Sequence, residues 1–255
     1  MEQRLIGALA QAGINHSVQI LFEHTEAKVT IFSLEVPAAE VQALWATLRG
    51  IVSETGCWPV ILGDHDALNV LLNTVWAYRE GGFSVAAVLT TLRKAESIDP
   101  PSLEGVMLDE AAWEPDDNRE VTLMEWISTP SEENDDVLPP WALPQPWYVG
   151  LIPTVHCWEV AAYLNLGGWN ACPEPEVHVA CWKRWYEEYG AELRRLEFDT
   201  VVMQVARPPR EPDAVTALAR AQCAYCGDIV SQGTGSVAAL AKELQDSHEW
   251  HFWWD

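Results

Sequence analysis

The chain has 255 residues and a mass of 28.5 kDa. That length allows one or two domains with a sizeable buried core, and 49% apolar against 21% charged residues excludes a disordered chain and a small disulfide-stapled scaffold. With 38 Asp and Glu against 15 Lys and Arg, the formal net charge is −23, so neither nucleic acid nor an anionic membrane is expected as an unassisted partner, because phosphates call for clustered cations. A basic partner fits better.

Met1–Gly13 lacks the basic, then apolar, pattern of a secretory signal, and no apolar run approaches a membrane span. A soluble cytoplasmic protein is expected. Six cysteines (Cys57, Cys157, Cys172, Cys181, Cys223, Cys226) then read as reduced thiols. Fourteen tryptophans require either a tryptophan-rich core or an aromatic surface.

After an opening helix, Val18, Ile20 and Phe22 alternate, polar His24–Lys28 intervenes, and Val29–Val36 resumes the extended pattern, which predicts a hairpin. Val41, Leu44, Trp45 and Leu48 recur at helical spacing from near Pro37 to Gly56, and Cys57–Leu62 is a short apolar strand. Asp64 or Asp66 is placed to cap a helix carrying Leu68, Leu71, Leu72, Val75 and Trp76, and a further helix carries Val85, Val88, Leu89 and Leu92. Residues 1–98 thus form an N-terminal α/β region.

The pattern breaks over 99–146. Asp99–Asp136 holds thirteen acidic residues, one arginine and four prolines, a local charge of −12, with strand content near Val121–Ile127; Pro139, Pro140, Pro144 and Pro146 then make a stiff connector. Beyond it, residues 147–255 read as strand 148–153, helices 156–164 and 173–189, a hairpin of 191–198 with 200–206, helices 212–225 and 236–244, and a closing strand 249–254. The expected class is α+β: two α/β regions, the second a β-α-β-β-α-β ferredoxin-like sandwich with extra helices and its terminal strands central. Both halves share a strand, Val-Pro or Ile-Pro, Trp-bearing helix and Gly order, ordinary α/β grammar rather than a repeat.

Five strings stand out: Gly168-Trp169-Asn170-Ala171-Cys172-Pro173, Trp185–Glu192, Ala206-Arg207-Pro208-Pro209, Tyr225–Gly233 and Phe252-Trp253-Trp254-Asp255. In this order they closely resemble the bacterial domain of unknown function 4253 (DUF4253) family over about residues 147–255, and Trp45–Gly63 resembles the region upstream of it. The resemblance implies a domain boundary and a set of recurrent residues, without an activity. The family pattern carries one cysteine in a Tyr-Cys-Pro-Asp stretch. Here Gly227 stands for that proline and Cys223 is added, so the Cys-x-x-Cys is incidental to this member.

Cys223 and Cys226 have zinc-like or redox-like spacing, yet no second pair completes a four-ligand site, and a helix end is the wrong place for a lowered thiol pKa; no cofactor is expected. Cys172 precedes Pro173, a favoured first helical residue, which makes it the stronger nucleophile candidate if His156, His178 or His251 lies within reach, although Glu174 and Glu176 oppose a thiolate. Packing and capping is the competing reading. Gln232–Ser236 lacks the lysine of a phosphate loop and reads as a turn with Ser236 as N-cap. Arg207, at a strand exit before two prolines, suits a carboxylate clamp or an internal pair with Asp228 or Asp255.

Together, Trp169, Asn170, Cys172, Arg207, Asp228, Gln232, Trp253 and Asp255 are predicted to line one polar, aromatic-walled pocket. Val177, Cys181, Trp185 and Tyr189 form an ordinary core stripe, while Trp182 and Tyr186 fall on another side and would be interface anchors if exposed. The leading functional expectation is a non-catalytic, immunity-like or inhibitor protein that holds a basic protein partner through Asp99–Asp136 and aromatic patches. The alternatives are a small-ligand binder or cysteine-dependent enzyme using the C-terminal pocket, and acidic mimicry of DNA.

Overall fold

The computed structural model describes residues 2–24, 29–77, 84–100 and 145–255. Most of the acidic segment, including Val121–Ile127, lies outside the described residues. The order is α1 (Glu2–Gln11), β1 (Val18–His24), β2 (Val29–Val36), α2 (Val41–Gly50), α3 (Val52–Thr55), β3 (Trp58–Asp64), α4 (His65–Ala77), α5 (Val85–Ala95), β4 (Trp147–Ile152), α6 (Val160–Leu164), α7 (Pro175–Tyr189), β5 (Ala191–Leu196), β6 (Thr200–Val205), α8 (Pro212–Tyr225), α9 (Val237–Leu244) and β7 (Glu249–Trp253).

Local chemistry sets several of these boundaries. Asp64 Oδ1 accepts from the Ala67 amide at 2.9 Å and so opens α4, and Ser236 Oγ accepts from Ala239 at 3.1 Å and opens α9, each satisfying an amide that the first helical turn leaves without a partner. The predicted helix through Gly56 breaks at Ile51 into α2 and α3, and Gly56 closes it at φ 70°, a left-handed position that glycine adopts without strain.

The strands form one seven-stranded sheet in the order β1-β2-β4-β3-β5-β6-β7. Neighbours are antiparallel except β3 and β5, which are parallel through Ile61 and Arg195. The mixed α+β class therefore holds, as do the β1–β2 and β5–β6 hairpins. The ferredoxin-like order does not. β7 lies at a sheet edge, and β4, instead of pairing with β6 or β7, is inserted between β2 and β3, so the first strand of the 147–255 region completes the sheet of the 1–98 region.

The physical reason lies in the side-chain alternation of β3 and β4. Ile61, Val149 and Leu151 point into a cluster with Leu5 and Leu9 of α1 and Leu44, Trp45 and Leu48 of α2. Val60, Leu62 and Ile152 point to the opposite face, into a cluster under α6, α7 and α8. A strand apolar on both faces gains most when helices cover both, and the middle of this sheet is where that happens. Gly150 lets the strands close up, since a Cβ there would stand 2.8 Å from Leu62 Cδ1. Beyond β3 one face turns polar, with Glu192, Gln204 and Glu249 in register across β5, β6 and β7. The other face keeps a stack of rings, Trp185 parallel to Phe252 at 5.3 Å and Trp250 edge-on at 6.0 Å.

Candidate functional site: a groove on either side of Trp158

A cavity of about 510 Å³ lies where the two regions meet, between the end of α2 and the loop that follows β4. Arg49 occupies the last turn of α2. Its Nε donates to Glu192 Oε2 at 2.7 Å and its Nη2 donates to Glu192 Oε1, a bidentate, charge-assisted pair, and the Glu192 hydrogen bond is the main reason its pKa is raised. Its guanidinium carbon sits 4.8 Å from the ring centre of Trp58. Trp58 is itself fixed, its Nε1 donating to the Leu193 carbonyl at 3.0 Å. The cation is thus held by a carboxylate in its plane and a ring against its face.

The opposite wall is aromatic. The Thr154 hydroxyl donates to Glu159 at 2.5 Å and accepts from the His156 amide at 3.1 Å, a local turn that shapes the loop into a 3-10 turn over Cys157–Glu159. His156 stacks on Trp158 at 4.5 Å, and Trp158 meets Tyr186 of α7 at 4.8 Å. Trp158 also borders a second cavity of about 260 Å³ between α5 and α7, where Glu96, Glu159 and Glu187 face Lys183 and Arg184. Arg184 is paired with Glu188 at 2.9 Å. Trp158 therefore borders two cavities: an aromatic lobe with one oriented guanidinium, and a carboxylate-rich lobe in which three glutamates are joined by Lys183 and Arg184.

Residues 148–255 match the family model described as Domain of unknown function (DUF4253). That stretch is a DUF4253 domain. No curated protein and no solved structure matches the chain. Trp158, Tyr186 and Glu192 belong to the DUF4253 domain, whereas Arg49 and Trp58 come from the region before it, so the aromatic lobe is built across its boundary.

The eight residues expected to form a pocket divide. Within the DUF4253 domain, Asp228 Oδ2 accepts from the Asp255 amide at 3.1 Å, and a Cβ on Gly233, beside Gln232, would stand 2.9 Å from the Trp253 ring, so Asp228, Gln232, Trp253 and Asp255 share one end of the sheet. Trp169 stacks on Phe198 at 4.2 Å. Asn170 and Gln232 face solvent, and none of the eight lines a described cavity. Arg207 stands apart and pairs with neither Asp228 nor Asp255. Its Nη2 donates to the Glu187 carbonyl at 3.0 Å, capping the end of α7, where a cation complements the helix dipole.

Cys172 does not adjoin the helix. α7 starts at Pro175, not Pro173, so Cys172 sits in the preceding turn. Its sulfur lies 3.6 Å from His178 Nε2, which resembles a nucleophile and base, but the electrostatics oppose the chemistry. The thiol is buried and its pKa is raised, by desolvation first and then by Cys226 and Glu174. Burial lowers the His178 pKa to about 3. Tyr225 accepts from Trp182 Nε1 at 2.8 Å and meets His178 Nδ1 at 2.6 Å; in the tautomer whose Nδ1 accepts from the phenol, the ring proton sits on Nε2, the nitrogen that faces the Cys172 sulfur. An Nε2 that carries a proton has no lone pair for the thiol. Trp182, a conditional surface anchor in the sequence, is buried in this cluster.

Cys57 is pushed up to about 11 and Cys157, Cys181 and Cys226 to about 12, each mainly by burial. Cys223 and Cys226 are free thiols, and Cys226 Sγ donates to the Trp253 carbonyl at 2.9 Å. Among the described residues, no group of three His, Cys, Asp or Glu is placed to hold a metal, and no helix is long and apolar enough to cross a membrane. Sequence reasoning missed Arg49, Trp58, Glu159 and Glu192 as site residues. The available signal was a set of large aromatics flanking Ile152-Pro153, in the loop that ends a buried strand.

Proposed function

We propose that the protein is a non-catalytic binding protein for a basic protein partner, which docks a cationic segment along the carboxylate-rich lobe beside Trp158. The observation that carries this reading is the placement of Glu96, Glu159 and Glu187 around one cavity that Lys183 and Arg184 also line, Arg184 being paired with Glu188, in a chain of net charge −23. Such a field accelerates encounter with a cationic surface, and a half-buried indole supplies apolar contact once the partner is seated. A role without a nucleophile is supported by the burial and raised pKa of Cys172, Cys181 and Cys226. The acidic stretch Asp99–Asp136, −12 by itself, adds long-range attraction. Six free thiols fit a reducing, cytoplasmic setting.

The test is titration of the full chain with an Arg- and Lys-rich peptide, following tryptophan fluorescence at several salt concentrations. Combining Glu96→Lys with Glu187→Lys is expected to weaken binding at least tenfold, while reversing Glu2 and Asp213, exposed acids elsewhere, changes it less than threefold. Equal losses from both pairs would reduce the interaction to bulk charge and overturn the groove.

A further inference from the structure

The aromatic lobe has a chemistry separate from that of the carboxylate-rich lobe. A guanidinium offers two hydrogen-bonding edges that matter here: the side edge formed by Nε with one terminal nitrogen, and the end edge formed by both terminal nitrogens. Glu192 takes the side edge of Arg49. One face is taken by Trp58. Among the described residues nothing accepts from the end edge, Nη1 and the outer hydrogen of Nη2, on a cation whose charge is already balanced and whose orientation is fixed from two directions.

Two parallel donors on an end edge match two adjacent acceptors in one plane: a carboxylate or phosphate, or the ring carbonyl beside a ring nitrogen on a 6-oxopurine such as guanine. The surroundings fit the rest of such a molecule. The same cavity is lined by His156, Trp158 and Tyr186, rings on which a flat base gains stacking energy. About 510 Å³ falls within the usual range for small-molecule sites. Because Glu192 cancels the charge of Arg49 and the chain carries −23 overall, a phosphate is not favoured, so the uncharged base or nucleoside is preferred to the nucleotide or to nucleic acid.

We infer that the cleft between Arg49 and Trp158 is a binding site for a neutral 6-oxopurine base or nucleoside, read by the end edge of Arg49 and stacked against the His156, Trp158 and Tyr186 wall. The inference does not depend on the basic-partner reading. Its occupant lies on the other side of Trp158, and loss of cationic-peptide binding leaves it standing.

The experiment is calorimetric titration of the full chain with guanosine, inosine, adenosine and guanosine monophosphate. Guanosine and inosine, which share the two acceptors, are expected to bind alike; adenosine, with an amino group in place of the carbonyl, at least tenfold more weakly; and the monophosphate more weakly than guanosine. Arg49→Met should cost guanosine at least tenfold and leave adenosine within twofold. His156→Ala, a change to an exposed ring, should weaken every nucleoside about threefold or more, so the inference stays testable should Arg49→Met fold poorly. Equal affinity for adenosine and guanosine, or no saturable guanosine binding at millimolar concentration, overturns it.

Discussion

Arg49 and Glu192, 143 residues apart, close a two-toothed ion pair between the end of α2 and the start of β5. It ties the segment before the DUF4253 domain to that domain at the lip of the 510 Å³ cavity. The side chains are 36% and 19% exposed, so solvent screens part of the attraction, and a double-mutant cycle with Arg49→Met and Glu192→Gln is expected to give a coupling of about 1 kcal/mol. Additive losses in chemical denaturation would mean that the pair contributes no mutual stability.

Gly167 has no tolerance for a side chain. Its φ is 97°, and a Cβ would stand 1.8 Å from the Pro173 carbonyl oxygen and 2.8 Å from His178 Nε2. Both obstacles are held, one by backbone and one by the buried Tyr225 hydrogen bond. Gly167→Ala should therefore cost roughly 3 kcal/mol or more, combining backbone strain with overpacking. A denaturation midpoint within error of the parent would contradict the turn described for 167–173.

His178 gives the fold a pH dependence of defined sign. Burial lowers its pKa to about 3, whereas in an unfolded chain it titrates near ~6.5. The folded state thus excludes a proton that the unfolded state binds. The contribution of neutral His178 is complete above ~6.5 and is lost as pH falls through that value toward about 3, by roughly 1.4 kcal/mol per pH unit within the window. Stability measured between pH 7 and 4 should fall more steeply in the parent than in His178→Gln, by about one proton's worth of slope. Identical slopes would place His178 in contact with solvent.

Thiol chemistry separates the cysteines. Cys223 is the one of the six that is only half-buried, while Cys172 is buried with its pKa raised. At pH 8, iodoacetamide should label Cys223 first and reach Cys172 only after denaturation. Labelling of native Cys172 faster than a free cysteine, read by peptide mass, would restore it as a nucleophile.

Local periodicity carried most of the elements. The alternation of Val29–Val36, the Leu44-Trp45-Leu48 stripe, the Asp64 and Ser236 caps and the 191–206 hairpin all follow from neighbours a few residues apart, where propensity and capping act. Strand order does not follow in that way. β4 slots between β2 and β3 because Ile61, Val149 and Leu151 on one face and Val60, Leu62 and Ile152 on the other each find helices to bury them, a decision made across more than eighty residues of chain. The site shares this origin. Nothing near Arg49 in the sequence announces Glu192, and the word-like strings around Cys172 and Asp228 marked a packed turn and a sheet end instead of a cleft.

The groove beside Trp158 is tested most directly by amide hydrogen exchange of the full chain, alone and saturated with an Arg- and Lys-rich peptide. Slowed exchange in the segments 92–98, 155–159 and 180–187, with 226–236 and 249–255 unchanged, is the predicted result. Slowing confined to the former pocket segments, or spread evenly over all exposed acidic surfaces, would contradict the account.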